Sequence, residues 1–131
     1  MGIPFVPPRG RILICDFDMA RVHPEIDKER RVVVISPRSY NHRHGNGPGR
    51  CLVIPFSATE PHEITPAHVP FADDIYKCLS EPTWALCDLV TSVSHTRLNN
   101  VQIGGVNQFE DVSPQDMARI GIGLKHSLAI A

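Results

Sequence analysis

Arg30-Arg31-Val32-Val33-Val34-Ile35-Ser36-Pro37 is the stretch on which the fold turns. Its middle, from Arg31 to Ser36, is a β-branched run of strand length, and Pro37, with a fixed φ and no amide proton, stops it. Upstream, Arg11-Ile12-Leu13-Ile14-Cys15-Asp16-Phe17 is a second short apolar run. Downstream, the turn cluster Gly45-Asn46-Gly47-Pro48-Gly49 leads into Cys51-Leu52-Val53-Ile54-Pro55-Phe56-Ser57, where Pro55 puts the end of the strand at an edge or a bulge. Glu63-Ile64-Thr65 to Val69 reads as a weaker strand, and Trp84 to Val93 as a longer one. Short strands punctuated by Gly and Pro turns predict a small curled barrel.

Only the C-terminal region reads as helix. Ser113 is a good N-cap, Pro114 suits the first helical position, and Asp116, three residues after the cap, can answer the cap's own amide and favours the helix dipole. Met117, Ile120, Leu124 and Leu128 then form one apolar stripe directed at the sheet. Gly121 and Gly123 each cost about 1 kcal/mol relative to Ala, so packing must hold this helix in place.

At 131 residues and 42% hydrophobic content the chain is expected to form one domain, residues 1–131, with a modest core. No window holds the roughly 18 consecutive apolar residues of a membrane span, and the N-terminal segment has neither the charged start nor the apolar core of a signal peptide. The expectation is a cytoplasmic protein with no membrane contact. Cys15, Cys51, Cys78 and Cys87 form no Cys-x-x-Cys pair and fall mostly in apolar runs, which predicts reduced core thiols. Net charge is −1, yet its distribution is uneven. Lys28, Arg30, Arg31, Arg38, Arg43 and Arg50 lie in one segment against the single acid Glu29, with His42 and His44 beside them. Such a segment can guide a polyanion to one face of an otherwise acidic molecule, or can be a solvated basic loop.

The order of these segments resembles the PemK/MazF toxins of bacterial type II toxin–antitoxin pairs over nearly the whole chain. Gly10-Arg11-Ile12-Leu13-Ile14-Cys15-Asp16-Phe17-Asp18 is similar to the family's opening strand with its Asp-Phe-Asp ending. Arg30 to Pro37 resembles its Arg-Pro-x-Val-Val-x-Ser-Pro, Tyr40-Asn41 its following Tyr-Asn, and Val53-Ile54-Pro55-Phe56-Ser57 its Val-x-Pro-x-Thr/Ser block. Ala85 to Val93, with Arg97-Leu98 after it, resembles the family's Asp-containing strand and Arg-Leu tail.

The resemblance implies a mainly β fold, an SH3-like small barrel with a C-terminal α-helix, paired as a two-fold homodimer. It also implies an endoribonuclease that cuts single-stranded RNA without a metal or other cofactor. Its partner would be a cognate antitoxin whose disordered segment folds across the dimer, and DNA would be met only through that antitoxin. By position, Arg30 and Ser57 are the implied catalytic pair. The residues themselves add Glu29 and Asp88 as possible supporting carboxylates, and the charge distribution offers Lys28, Arg31, Arg38, Arg43 and Arg50 as RNA-binding cations. Arg31 stands where the family has Pro, and the connection from Met19 to Glu29 lacks the family's Gly. This loop is expected over the RNA groove, so substrate preference does not transfer.

The chemistry is consistent with those residue types. RNA carries its own nucleophile, so a protein can cleave it by aligning the 2′-hydroxyl with phosphorus and neutralising charge on the non-bridging oxygens. A guanidinium binds phosphate bidentately and stays protonated, which suits Arg30 to that task and unsuits it as a base. Glu29 or a loop histidine could take the proton. Each site has a plainer alternative. Arg30 can terminate a strand and pair with Glu29 or Asp27, Ser57 can be a turn residue, and Asp88 in a strand can bind backbone amides. His42 and His44 lack a third metal ligand, and Trp84 suits a core or dimer position. A gyrase-poisoning toxin of the same CcdB-like fold and a non-catalytic RNA- or peptide-binding barrel are the rival functions.

Overall fold

A computed structural model describes residues 2–17, 28–42 and 45–130. Strands β1 (Ile12–Asp16), β2 (Glu29–Val34) and β3 (Arg50–Ser57) form an antiparallel core. β4 (His68–Phe71) and β5 (Thr83–Leu86) extend it beyond the Ser57 half of β3, β6 (Thr91–Ser94) pairs with its Arg50 half, and β7 (Leu98–Asn100) lies against β1. A small hairpin, β8 (Gln102–Ile103) and β9 (Val106–Asn107), precedes the helix α1 (Pro114–Ser127). The fold is thus mainly β with one C-terminal helix, as expected. Within the described residues the sheet runs β4-β5-β3-β2-β1-β7 and does not close, so the closed barrel is not what these strands make.

Both faces of this sheet are buried, which is why the β2 run is continuously apolar rather than alternating. Val33, Ile12, Ile54 and Phe56 face α1 and pack with Met117 and Ile120. Val32, Val34, Leu13, Cys15, Val53 and Leu98 face the other way, around Phe17 and Ile3. All four cysteines are buried and in no disulfide, and desolvation pushes the thiols of Cys51 and Cys78 up to about 12 and Cys87 to about 11.

Two strand boundaries depart from expectation. The segment from Glu63 does not begin a strand, because Pro66 turns the chain and the His68 amide bonds Thr65 O at 3.0 Å. The longer run from Trp84 to Val93 is two strands split by a 3-10 turn at Cys87–Leu89. Carrying the Phe56↔Ala85 register along β3 would set Asp88 opposite Val53, whereas Thr91 is found there, so the turn absorbs three residues. Pro55 sits in the gap this creates, opposite Val32 but between the reaches of β5 and β6, where no amide donor is needed.

The turn docks on the helix through Gly123. A Cβ at that position would lie 2.8 Å from Cys87 Sγ and 3.2 Å from Pro66 O, so only glycine permits this approach. The helix stripe is Met117, Ile120 and Leu124, while Leu128 lies past the helix end and is exposed. Ser113 caps the helix by accepting the Asp116 amide at 3.2 Å. Asp116 does not return a bond to the cap amide directly. Instead Tyr76 mediates: its hydroxyl accepts Ser113 N at 2.8 Å and donates to Asp116 Oδ2 at 2.7 Å.

Candidate active site

β2 and β3 bring Arg30 and Ser57 to the same end of the sheet. Their ladder includes Val34↔Val53 and Val32↔Pro55, and carrying it on by two residues sets Arg30 opposite Ser57. Side chains alternate along a strand, so Arg30 shares the pleat of Val32 and Val34, and Ser57 that of Val53. The two groups therefore begin on one face, the face away from α1. On its other side Arg30 pairs with Cys15, which pairs in turn with Leu98, so its stem starts beside buried apolar residues, and the residue is half-buried near the start of β2.

Ser57 is 9% exposed and pairs across to Trp84. Its Oγ accepts the Thr59 amide at 3.2 Å, a local turn that aims the hydroxyl. The contact to Thr59 O, at 3.5 Å, is too long to hold the hydroxyl proton firmly. The hydroxyl is thus oriented while its donor is only weakly engaged.

The remaining sequence candidates are distributed unevenly. Arg31 begins on the pleat opposite to Arg30 and lies near Cys78, with its Nε buried and without a hydrogen-bond partner among the described residues. Glu29, exposed at the first position of β2, shares that second pleat and lines, with Ile14 and Asn99, a hollow of about 430 Å³. Lys28 is exposed just before it, at φ 68°, and its carbonyl accepts the Phe17 amide at 2.9 Å. Asp88 lies in the 3-10 turn, at the end of β5 remote from Trp84, half exposed, with its Oδ1 3.5 Å from His68 Nε2. It is set apart from Ser57 and is not a strand residue.

The basic segment is also divided. Arg38, His42 and Arg50 are exposed at the far end of β2 and β3. The four residue steps from Arg30 to Val34 alone span about 13 Å. Arg43 and His44, like Asp27 and most of the Met19–Glu29 loop, lie outside the described residues. A further cation at the same sheet end as Arg30 received no role from the sequence: Arg97, whose guanidinium donates to Asp16 O at 3.3 Å. Its only signal was the Arg97-Leu98 pair. Among the described residues no group of three or more His, Cys, Asp or Glu side chains is placed to hold a metal ion.

The fold that carries these residues is shared with known proteins. The chain is 31% identical to the uncharacterized Escherichia coli (strain K12) protein YifN, over 82% of this chain and 83% of that one. MazF from Deinococcus radiodurans superposes with a TM-score of 0.70 at 19% identity, covering 95% of this chain and 98% of that one. A mycobacterial endoribonuclease in complex with its cognate antitoxin does so at 0.64 and 17%, covering 95% and 97%. These two likenesses establish the fold. A family model matches residues 8–128, nearly the whole of the sheet and helix just described, and by that match the chain belongs to the PemK-like, MazF-like toxins of type II toxin–antitoxin systems.

Proposed function

We propose that this toxin is an endoribonuclease that cleaves single-stranded RNA without a metal, using Arg30 and Ser57. The observation that carries the reading is their shared end and shared face on neighbouring strands. The 2′-oxygen attacks phosphorus, the bond to the 5′-oxygen breaks, and the products are a cyclic phosphate and a 5′-hydroxyl. Arg30 neutralises charge growing on the non-bridging oxygens. Ser57, with its proton weakly engaged, donates one further hydrogen bond and forms no covalent bond. Solvent water takes the proton of the 2′-hydroxyl, since Glu29 starts on the pleat opposite to Arg30 and His42 lies at the opposite end of the sheet. A water protonates the leaving oxygen.

The protein works as a homodimer restrained by an antitoxin. The solved neighbours include MazE–MazF of Deinococcus radiodurans, which supports that pairing. Digestion of RNA in EDTA by wild type, Arg30→Ala and Ser57→Ala tests the reading. Cleavage by wild type alone, with losses of about 10²–10³-fold in each variant, is expected. Cleavage that needs added metal, or that survives both substitutions, overturns it. Gyrase poisoning would give no cleavage by any variant.

A further inference from the structure

The far end of β2 and β3 carries a hollow of about 480 Å³, walled by Ser39, Tyr40, His42, Arg50, Leu52 and Ser92. Tyr40 is 72% exposed, yet its backbone is held. Its amide donates to Pro37 O at 2.9 Å, and the next amide, of Asn41, donates to Arg38 O at 3.0 Å. The fully buried Asn41 side chain then ties the loop to Pro7 O at 2.8 Å, to Ser36 O at 3.0 Å and to the Ser36 hydroxyl at 2.6 Å. An aromatic ring presented on so firmly built a loop is a platform already paid for in entropy, so a partner that stacks on it meets little ordering cost.

The charge around the ring has one sign. Among the described lining residues Arg50 and His42 are the basic groups and no carboxylate occurs, while exposed Arg38 follows Pro37 in the same loop. Leu52, 40% exposed, supplies an apolar floor opposite Ser92. A flat ring, a guanidinium and hydroxyls within one hollow match a nucleotide: the base stacks on Tyr40, the backbone phosphate takes Arg50, and the hydroxyls of Ser39 and Ser92 meet base edge or ribose. An acidic peptide would satisfy Arg50 and leave the ring without a flat partner.

We infer that this hollow is a second contact for single-stranded RNA, holding a nucleotide remote from the phosphate cut at Arg30 and Ser57. The inference rests on the RNA reading above and adds a specificity-determining subsite to it. Binding there raises affinity and fixes register without touching the reacting atoms.

The test uses the full chain and a fluorescein-labelled 2′-O-methyl RNA of mixed sequence, about 16 nucleotides long, which lacks the nucleophile and so is not consumed. Tyr40→Ala is expected to weaken binding about ten-fold, Tyr40→Phe to keep wild-type affinity, and Arg50→Gln to weaken it while lowering the salt slope by about one. On cleavable RNA, Tyr40→Ala raises KM and leaves kcat unchanged. Wild-type RNA affinity in Tyr40→Ala and Arg50→Gln overturns the inference. So does a shift from dimer to monomer on sedimentation, which would make this face a contact between copies, or loss of acidic-peptide binding alone. Tyr40-dependent RNA binding by a chain that cuts nothing would sink the nuclease reading and leave this one standing. Arg30-dependent cleavage indifferent to Tyr40 and Arg50 would do the reverse.

Discussion

Ser36 and Ser57 close the same two strands at opposite ends, and their hydroxyls are used in opposite ways. Ser36 Oγ accepts the Leu52 amide at 2.9 Å and donates to Asn41 Oδ1 at 2.6 Å, so both of its roles are filled inside the protein. Ser57 Oγ accepts one amide and holds its own proton only at 3.5 Å. A hydroxyl committed on both sides builds a loop, and one with a loosely held donor is left for a ligand. The difference is invisible in residue type and follows wholly from which neighbours the fold supplies.

The contrast can be broken most directly by truncating one member of each set. Asn41→Ala strands Pro7 O, Ser36 O and the Ser36 hydroxyl in the interior, and is expected to cost about 2–4 kcal/mol, read as a lower urea midpoint at unchanged slope. Ser57→Ala is expected to lose RNA cleavage while shifting stability by less than about 1 kcal/mol. Equal stability losses in both would show that Ser57 is a structural serine like Ser36.

The same division into committed and open positions runs through α1. Gly123→Ala gains about 1 kcal/mol of helix propensity but drives Cβ into Cys87 and Pro66, so a net loss of about 1–2 kcal/mol in thermal or urea unfolding is expected. At Gly121 an added methyl would meet nothing within 4 Å, and Gly121→Ala is expected to stabilise by about 0.5–1 kcal/mol. Opposite signs for two glycines of one helix sharpen the comparison, and equal signs break it.

A further effect, confined to a pH range, lies at the helix start. Burial disfavours charge on Asp116, but hydrogen bonds from Tyr76, Arg119 and Ser113 outweigh it and hold the carboxyl below its ordinary value. A carboxyl depressed in the folded state stabilises the fold above its unfolded pKa, and that contribution is lost as pH falls through the folded value. Asp116→Asn is therefore expected to cost about 1 kcal/mol at neutral pH and nothing in strong acid, seen by comparing unfolding midpoints of the two proteins across that range. A constant difference at all pH values would assign the effect to packing.

Much of this protein was legible from local chemistry alone. The β-branched run before Pro37, the Ser113-Pro114 helix start, the buried thiols and the family's block order all depend on short-range preferences that a chain carries with it. Long-range pairing decided the rest. Arg30 and Arg31 are neighbours in sequence, yet pleating sends them to opposite faces, and the described cations of what looks like one basic segment separate because a strand holds Arg30 away from Arg38 and Arg50. Asp88 reads as a strand residue until β3 is seen to pair with two partners in turn, which forces the chain between them into a 3-10 turn. Sequence determined which residues could do chemistry; only tertiary structure decided which of them meet, because register and face are properties of two strands at once and of neither alone.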